Sequence, residues 1–241
     1  MREEGRPLPP FDAVSLDVGG VLIMPDRRMV SGALARAGVR HDPALFFDGH
    51  YRAMAEVDRR RSRPEEFGDY TRGFLPAVGT PDAQLDTGAA ALASVLGLSS
   101  AWSQRIPGAV PAARRLAAAG LRLAVTSNSD GTLAARMRRR RVVQVGDGRG
   151  VPVEHITDSG VLGVAKPHPT AFLTTAAGLA LPPHRICHVG DSGCYDADGA
   201  AAVGMVAVHV DPLGLCRGDH HHVDSLADFA ARALAARRKV G

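Results

Sequence analysis

The chain has 241 residues, of which 45% are hydrophobic and 22% charged, the proportions of a globular protein long enough to bury a sizeable core. A net charge of +4 with only 5% aromatic side chains excludes the dense basic face with stacking rings that nucleic-acid binding needs. No apolar run reaches the length of a membrane span; the nearest, Ala89 to Leu98, reads as a buried helix.

In chain order, Met1 to Pro10 is charged and proline-rich, without the apolar core of a signal peptide. Ala13 to Leu16 is a short apolar strand running into Asp17-Val18-Gly19-Gly20-Val21-Leu22, so a carboxylate stands at a strand end just before a glycine turn. From about residue 27 to 105, helical stretches are punctuated by Pro43, Pro64, Pro76 and Pro81, with little strand pattern. After Pro107-Gly108, Ala109 to Ala119 is an alanine-rich helix stopped by Gly120, which suits a C′ position. Leu121 to Val125 is a second strand and ends in Thr126-Ser127-Asn128. Lys166-Pro167 precedes a helix from Pro169 to Ala180, and Ile186 to Val189 is a strand that ends in Gly190-Asp191-Ser192. Met205 to Val210 gives a late strand and Leu226 to Arg238 a terminal helix. Such alternation demands parallel strands with right-handed crossovers. The expected class is α/β: a doubly wound parallel, Rossmann-like sheet formed by residues 11–24 and 106–241, with a helical cap inserted at 25–105.

In an open parallel sheet, ligands sit beyond the carboxyl ends of the strands. Asp17 is thus a candidate nucleophile or metal ligand. Ser127, Lys166 and Asp191 follow in order, with Asp196 five residues beyond Asp191. Each is a weak signal alone, but together, in that order and those contexts, they point to a site that handles phosphoryl groups. Lys166 and Lys239 are the only lysines among 29 basic residues. A lysine at a motif position in so arginine-rich a chain suggests that a compact ammonium is needed there.

With these residues the chain resembles the haloacid dehalogenase superfamily, made up mostly of magnesium-dependent phosphatases. The family's first motif is an Asp, one residue, a second Asp, Gly, and Thr or Val; Asp17, Gly20 and Val21 match, and Gly19 stands in place of the second Asp. Ser127 falls on the second motif, Lys166 with Pro167 on the third, and Asp191 with Asp196 on the fourth. The long gap between the first two is similar to members with a helical cap inserted there. The resemblance implies Mg²⁺ held by Asp17, Asp191 and the main-chain carbonyl of Gly19. It implies a small phosphate ester, a sugar phosphate among the options, bound by Ser127, Asn128 and Lys166. Asp17 would attack phosphorus to give an aspartyl phosphate that water hydrolyses, with Asp196 orienting Lys166 or the metal shell.

Gly19 is the departure. In the family the second Asp protonates the leaving group and later activates water, worth roughly 10²–10⁴ in rate. Its replacement removes that assistance and spares the main-chain metal contact. Some members with Gly there resemble phosphatases of sugar 1-phosphates. Either the substrate carries a leaving group stable as an anion, as in an anomeric, aryl or acyl phosphate, or a water or cap residue supplies the proton, with His50 and His41 as candidates. The alternatives are a weakly active or non-catalytic binding or regulatory protein on this fold, or another hydrolase of the superfamily such as a dehalogenase. A dehalogenase usually carries Tyr where Gly19 stands and has no use for Asp191 as a metal ligand. A phosphomutase would want the missing Asp, and a receiver domain places its acidic pair before its phosphoacceptor.

Other features read as structure. Arg136 and Arg138 to Arg141 read as a solvated helix end, and most of Arg59, Arg60, Arg61 and Arg63 as surface. His220 to His222 read as a polar loop, because adjacent side chains do not easily converge on one ion. Gly146, Gly148 and Gly150 form a turn, with a spacing foreign to dinucleotide loops. Cys187, Cys194 and Cys216 are odd in number and lack metal-ligand spacing, as suits free thiols in a reducing cytoplasm.

Overall fold

The computed structural model describes residues 6–62 and 67–238; Met1 to Gly5, Arg63, Pro64 and Lys239 lie outside them. The chain divides into two compact units, one of residues up to Leu22 with Ile106–Pro212 and the chain from Arg217, the other of Ile23–Arg105 with Leu213–Cys216.

The first unit holds β1 (Ala13–Leu16). The second opens with β2 (Ile23–Pro25) and continues through α1 (Arg27–Arg36), α2 (Phe46–Arg60), α3 (Phe67–Ala77), α4 (Leu85–Leu96) and β3 (Trp102–Arg105). Asp26 caps α1, its carboxylate accepting from the N–H groups of Arg28 and Met29 at 2.9 and 3.2 Å. Phe46 and Phe74 meet edge to face at 5.5 Å between α2 and α3. β2 pairs with β3 antiparallel, which the sequence did not suggest, since strands this short have no room for a periodic pattern.

The first unit resumes with α5 (Ala109–Ala118), β4 (Arg122–Ser127), α6 (Leu133–Arg139), β5 (Val143–Val145), β6 (Val151–Val153), β7 (His155–Asp158), α7 (Ser159–Leu162), α8 (Pro169–Gly178), β8 (Ile186–Gly190), α9 (Asp198–Ala202), β9 (Val206–Val210), β10 (His221–Val223) and α10 (Leu226–Arg238). Gly120 follows α5 at φ 80°, the left-handed exit that glycine permits. Six strands form one parallel sheet in the order β10-β9-β8-β1-β4-β7. Strand alternation turns Ala13, Ala124 and Ile186 toward Ala171, Phe172 and Ala176 of α8. Val14, Leu16, Leu123 and Val125 face the other way and are equally buried. The sheet is therefore covered on both faces, as a doubly wound fold requires.

One expectation fails here. His221 and His222 belong to a strand, β10, paired with β9, and not to a loop. No helix among the described residues is long and apolar enough to cross a membrane.

Candidate active site

β1 lies between β4 and β8 with Leu16 level with Val125 on one side and Val189 on the other. Parallel strands in that register deliver Asp17, Ser127 and Asp191 to one edge of the sheet, since each follows its aligned residue by one or two positions. All three are buried, with 7%, 6% and 5% of their surfaces exposed. The Asp17 N–H donates to the Val189 carbonyl at 2.8 Å, tying the first loop to β8.

Two glycines make room for two of the carboxylates. Gly20 adopts φ +62°, and a methyl group there would fall 1.8 Å from Asp191 Oδ2, so the glycine turn after Asp17 is the wall on which Asp191 rests. A methyl group on Gly190 would fall 2.0 Å from Cγ of Asp196. Asp196 reaches that spot because residues Gly193–Ala197 form a widened π-helical turn, a local form found at functional sites. The Ser192 N–H donates to Asp196 Oδ2 at 3.1 Å.

Lys166 joins the acids. Its ammonium is 2.8 Å from Asp17 Oδ1 and 2.5 Å from Asp196 Oδ1, with only 2% of the residue exposed. Asn128 fixes the Lys166 backbone at both ends: its Oδ1 accepts from the Lys166 N–H at 2.7 Å and its Nδ2 donates to the Lys166 carbonyl at 3.2 Å. With both ends of its amide engaged, the Asn128 side chain positions Lys166.

The electrostatics follow from one ammonium serving two acids. Burial alone would raise Asp196, but the Lys166 charge and the His188 and Lys166 hydrogen bonds outweigh it and hold the carboxyl below its usual range. Asp17 has fewer such partners, so burial raises it, with the Asp196 charge adding to the effect against Lys166. Burial alone would lower Lys166, but Asp17 and Asp196 more than offset it and raise the ammonium above its ordinary value.

Behind Asp196 runs a buried polar row. His188 Nε2 is 2.9 Å from Asp196 Oδ1, and His188 Nδ1 is 3.0 Å from Ser15 Oγ. Ser15 contacts Thr126 at 2.8 Å, Thr126 contacts Thr175 at 2.6 Å, and Thr175 contacts Thr157 at 2.7 Å. The row crosses β8, β1, β4 and β7 on the face that α8 covers. Sequence reasoning missed all five residues; the available signal was a hydroxyl or imidazole at the same-face position of each of four strands.

Two further readings change. His50 is fully buried in its own unit, its Nδ1 2.8 Å from the Tyr70 hydroxyl, and burial pushes it down to about 3. Neither its exposure nor its proton affinity suits an acid that meets substrate. Arg136, expected to be solvated, is buried and donates to Ser129 Oγ at 2.9 Å, while Arg138, Arg139 and Arg141 are exposed.

The residues fit a divalent cation. Carboxylate oxygens of Asp17, Asp191 and Asp196 lie within 4.8 Å of one another, and the buried Lys166 ammonium pairs with two of the three acids. Asp17 Oδ1 has the Lys166 charge beside it but no well-directed hydrogen bond. Hard carboxylate oxygens with excess negative charge are the donor set for Mg²⁺. Asp17 and Asp191 would hold it, with Asp196 drawn instead to Lys166.

A family model for haloacid dehalogenase-like hydrolases matches residues 11–204. The chain belongs to the haloacid dehalogenase-like hydrolase family. It is 33% identical over 107 residues to haloacid dehalogenase-like hydrolase domain-containing protein 3 of Xenopus laevis, a match covering 44% of this chain and 41% of that protein. This hydrolase thus aligns with about two-fifths of its curated relative's length. Its fold is similar to that of a phosphatase of the family from Thermococcus onnurineus, with a TM-score of 0.55 and 18% identity over 96% of this chain and 98% of the other. It is similar also to a 2-haloacid dehalogenase from Pseudomonas syringae pv. Tomato, with a TM-score of 0.54 and 19% identity over 93% and 99%. At such identities these two likenesses speak for the fold of the hydrolase alone.

Proposed function

We propose that this hydrolase is a Mg²⁺-dependent phosphatase of a small phosphorylated metabolite, acting through an aspartyl phosphate on Asp17. The observation that carries the reading is the surplus of buried carboxylates, Asp17, Asp191 and Asp196, over the single ammonium of Lys166. Dehalogenation needs a carboxylate nucleophile but no such surplus; a dianionic substrate needs a cation beside its nucleophile.

Bound Mg²⁺ would supply positive charge against the phosphoryl oxygens. Lys166 holds Asp17 by its ion pair and adds charge beside the nucleophile, while Ser127 at the end of β4 is the donor for a phosphoryl oxygen. An Asp17 carboxylate oxygen forms a bond to phosphorus as the bond from phosphorus to the ester oxygen breaks, and that oxygen leaves with the electron pair. Water then attacks phosphorus, the bond to Asp17 breaks, and inorganic phosphate departs. Asp196 acts through Lys166 and takes no part in bond making.

Gly19 offers no acid to the departing oxygen. The reading therefore favours anomeric, aryl or acyl phosphates, whose leaving groups are stable as anions. It takes residues 11–24 and 106–241 as the catalytic core and 25–105 as an inserted cap. It also assigns the enzyme to the cytoplasm, in keeping with Cys187, Cys194 and Cys216, which form no disulfide. The test is release of inorganic phosphate from a panel of phosphorylated metabolites with Mg²⁺ and with chelator. Phosphate release confined to the Mg²⁺ arm supports the reading. Release of halide from a 2-haloacid, with no phosphate from any panel member, overturns it.

A further inference from the structure

A second group of ligating side chains lies on the far strands of the same sheet. β9 and β10 run parallel with His222 level with His209, so the two imidazoles share a face. His220 precedes His222 by two residues and falls on that face as well, whereas His221 alternates to the other. The ring centroids of His220 and His222 are 4.6 Å apart, and those of His209 lie 5.3 and 5.6 Å from them. His209 Nδ1 and His220 Nε2 stand 3.2 Å apart.

The outer nitrogens of two of the three rings are committed to main-chain carbonyls. His209 Nε2 is 3.0 Å from the Asp191 oxygen and His222 Nε2 is 3.1 Å from the Gly218 oxygen. A carbonyl only accepts, so each of those nitrogens carries the proton, and in the neutral ring Nδ1 carries the lone pair. Backbone carbonyls that fix the tautomer and turn of an imidazole are the usual outer partners of metal-binding histidines. Gly218 contributes in a second way, since a methyl group there would fall 2.3 Å from Cε1 of His220; only glycine lets that ring settle against the turn. The buried Asp211 carboxylate, 3.7 Å from His222 Nδ1, brings negative charge to the cluster.

We propose that His209, His220 and His222 form a site for a transition-metal dication of the Zn²⁺ class, separate from the carboxylate site and chemically selective against its ion. Imidazole nitrogens suit Zn²⁺, Ni²⁺ and Cu²⁺, whereas Mg²⁺ requires hard oxygen donors. The two sites are linked through one residue. Asp191 offers its carboxylate to the first, and its main-chain carbonyl holds His209 in the second.

The test is Zn²⁺ binding by calorimetry to the full chain, stripped with EDTA, free of any histidine tag and saturated with Mg²⁺ so that the carboxylates are occupied. One Zn²⁺ per chain is expected. His220→Ala and His222→Ala should each weaken it by about 100-fold or more, because each removes an imidazole that holds the ion. His221→Ala, on the opposite face, should bind as the unaltered chain does. Thermal melts with and without Zn²⁺ provide the second readout: Zn²⁺ should raise Tm for the unaltered and His221→Ala chains and leave the other two unmoved. Should a variant melt early without metal, the isosteric His220→Asn and His222→Asn replace the alanines in both measurements. Absence of Zn²⁺ binding to the unaltered chain, equal binding by the His220 and His222 variants, or equal loss in His221→Ala would each overturn the proposal.

Discussion

Gly20 is shaped around Asp191: a methyl group on the glycine would come within 1.8 Å of the carboxylate oxygen. The first and fourth motifs are thereby interlocked, and the turn that follows Asp17 sets where the Asp191 carboxylate stands. Gly20→Ala combines that clash with a φ of +62°. The expected result is a loss of about 1–3 kcal/mol in stability, with the Mg²⁺ needed for half-maximal activity rising at least tenfold. Thermal melts and Mg²⁺ titrations of phosphate release check this; unchanged Mg²⁺ dependence would separate the two residues.

Lys166→Met removes the ammonium from between Asp17 and Asp196. A buried pair that loses one partner costs about 3–5 kcal/mol, so the variant should melt early at neutral pH as well as losing activity. Adding Asp17→Asn should recover part of the stability, because one buried charge disappears. Urea denaturation of the single and double variants measures the recovery, and strictly additive losses would argue against a shared cluster.

The polar row predicts an effect at a distance. His188→Leu leaves Asp196 without its imidazole partner and Ser15 without its Nδ1 contact, and activity should drop by about 10- to 100-fold, the range for groups that act through a neighbour. Ser15→Ala leaves the His188 and Thr126 groups less well satisfied, at about 1–3 kcal/mol. A drop in kcat with little change in KM identifies positioning of Lys166. Normal kcat in His188→Leu would reduce the row to packing.

His50 predicts a pH dependence. Burial sets its folded value at about 3, below the 6.5 of an unperturbed imidazole. The unfolded chain therefore takes up a proton that the folded chain does not, and stability fully present above pH 6.5 is lost as pH falls toward 3. The slope for this one group approaches about 1.4 kcal/mol per pH unit. His50→Gln lacks the titrating group, so its urea midpoint should fall less steeply between pH 6.5 and 4 than that of the unaltered chain. Parallel slopes would place the acid sensitivity elsewhere.

Gly19 makes a prediction about substrates. Turnover of an aryl phosphate should exceed that of a primary alkyl phosphate by a wide margin. Gly19 is outside the left-handed region that Gly20 occupies, so Gly19→Asp adds no left-handed backbone strain and should narrow the margin, by up to roughly 10²-fold for a positioned acid. Equal rates on both esters in the unaltered enzyme, with no change in His41→Gln, would remove the argument from leaving-group stability.

What could be read in advance was what is local. Asp17, Ser127 and Asp191 each end a short apolar run, and a parallel sheet brings such ends to one edge whatever lies between them. The polar row escaped because Ser15 and His188 are 173 residues apart, and each looks like a lone polar residue within an apolar strand. The histidine cluster escaped for a related reason. Adjacency of His220, His221 and His222 suggested crowding, and only strand alternation, with His209 level across β9, sorts two of the three onto one face. His50 looked like a spare acid because exposure cannot be read from a helix that alternates apolar and polar residues in an aromatic setting.

The most direct measurement is hydrolysis of p-nitrophenyl phosphate at saturating Mg²⁺ by the unaltered enzyme and by Asp17→Asn, each repeated after EDTA. Turnover by the unaltered enzyme that vanishes on chelation, returns with Mg²⁺ and is lost in Asp17→Asn is the predicted result. Turnover that survives the Asn substitution, or that is indifferent to chelation, would contradict phosphoryl transfer to Asp17 beside a divalent cation.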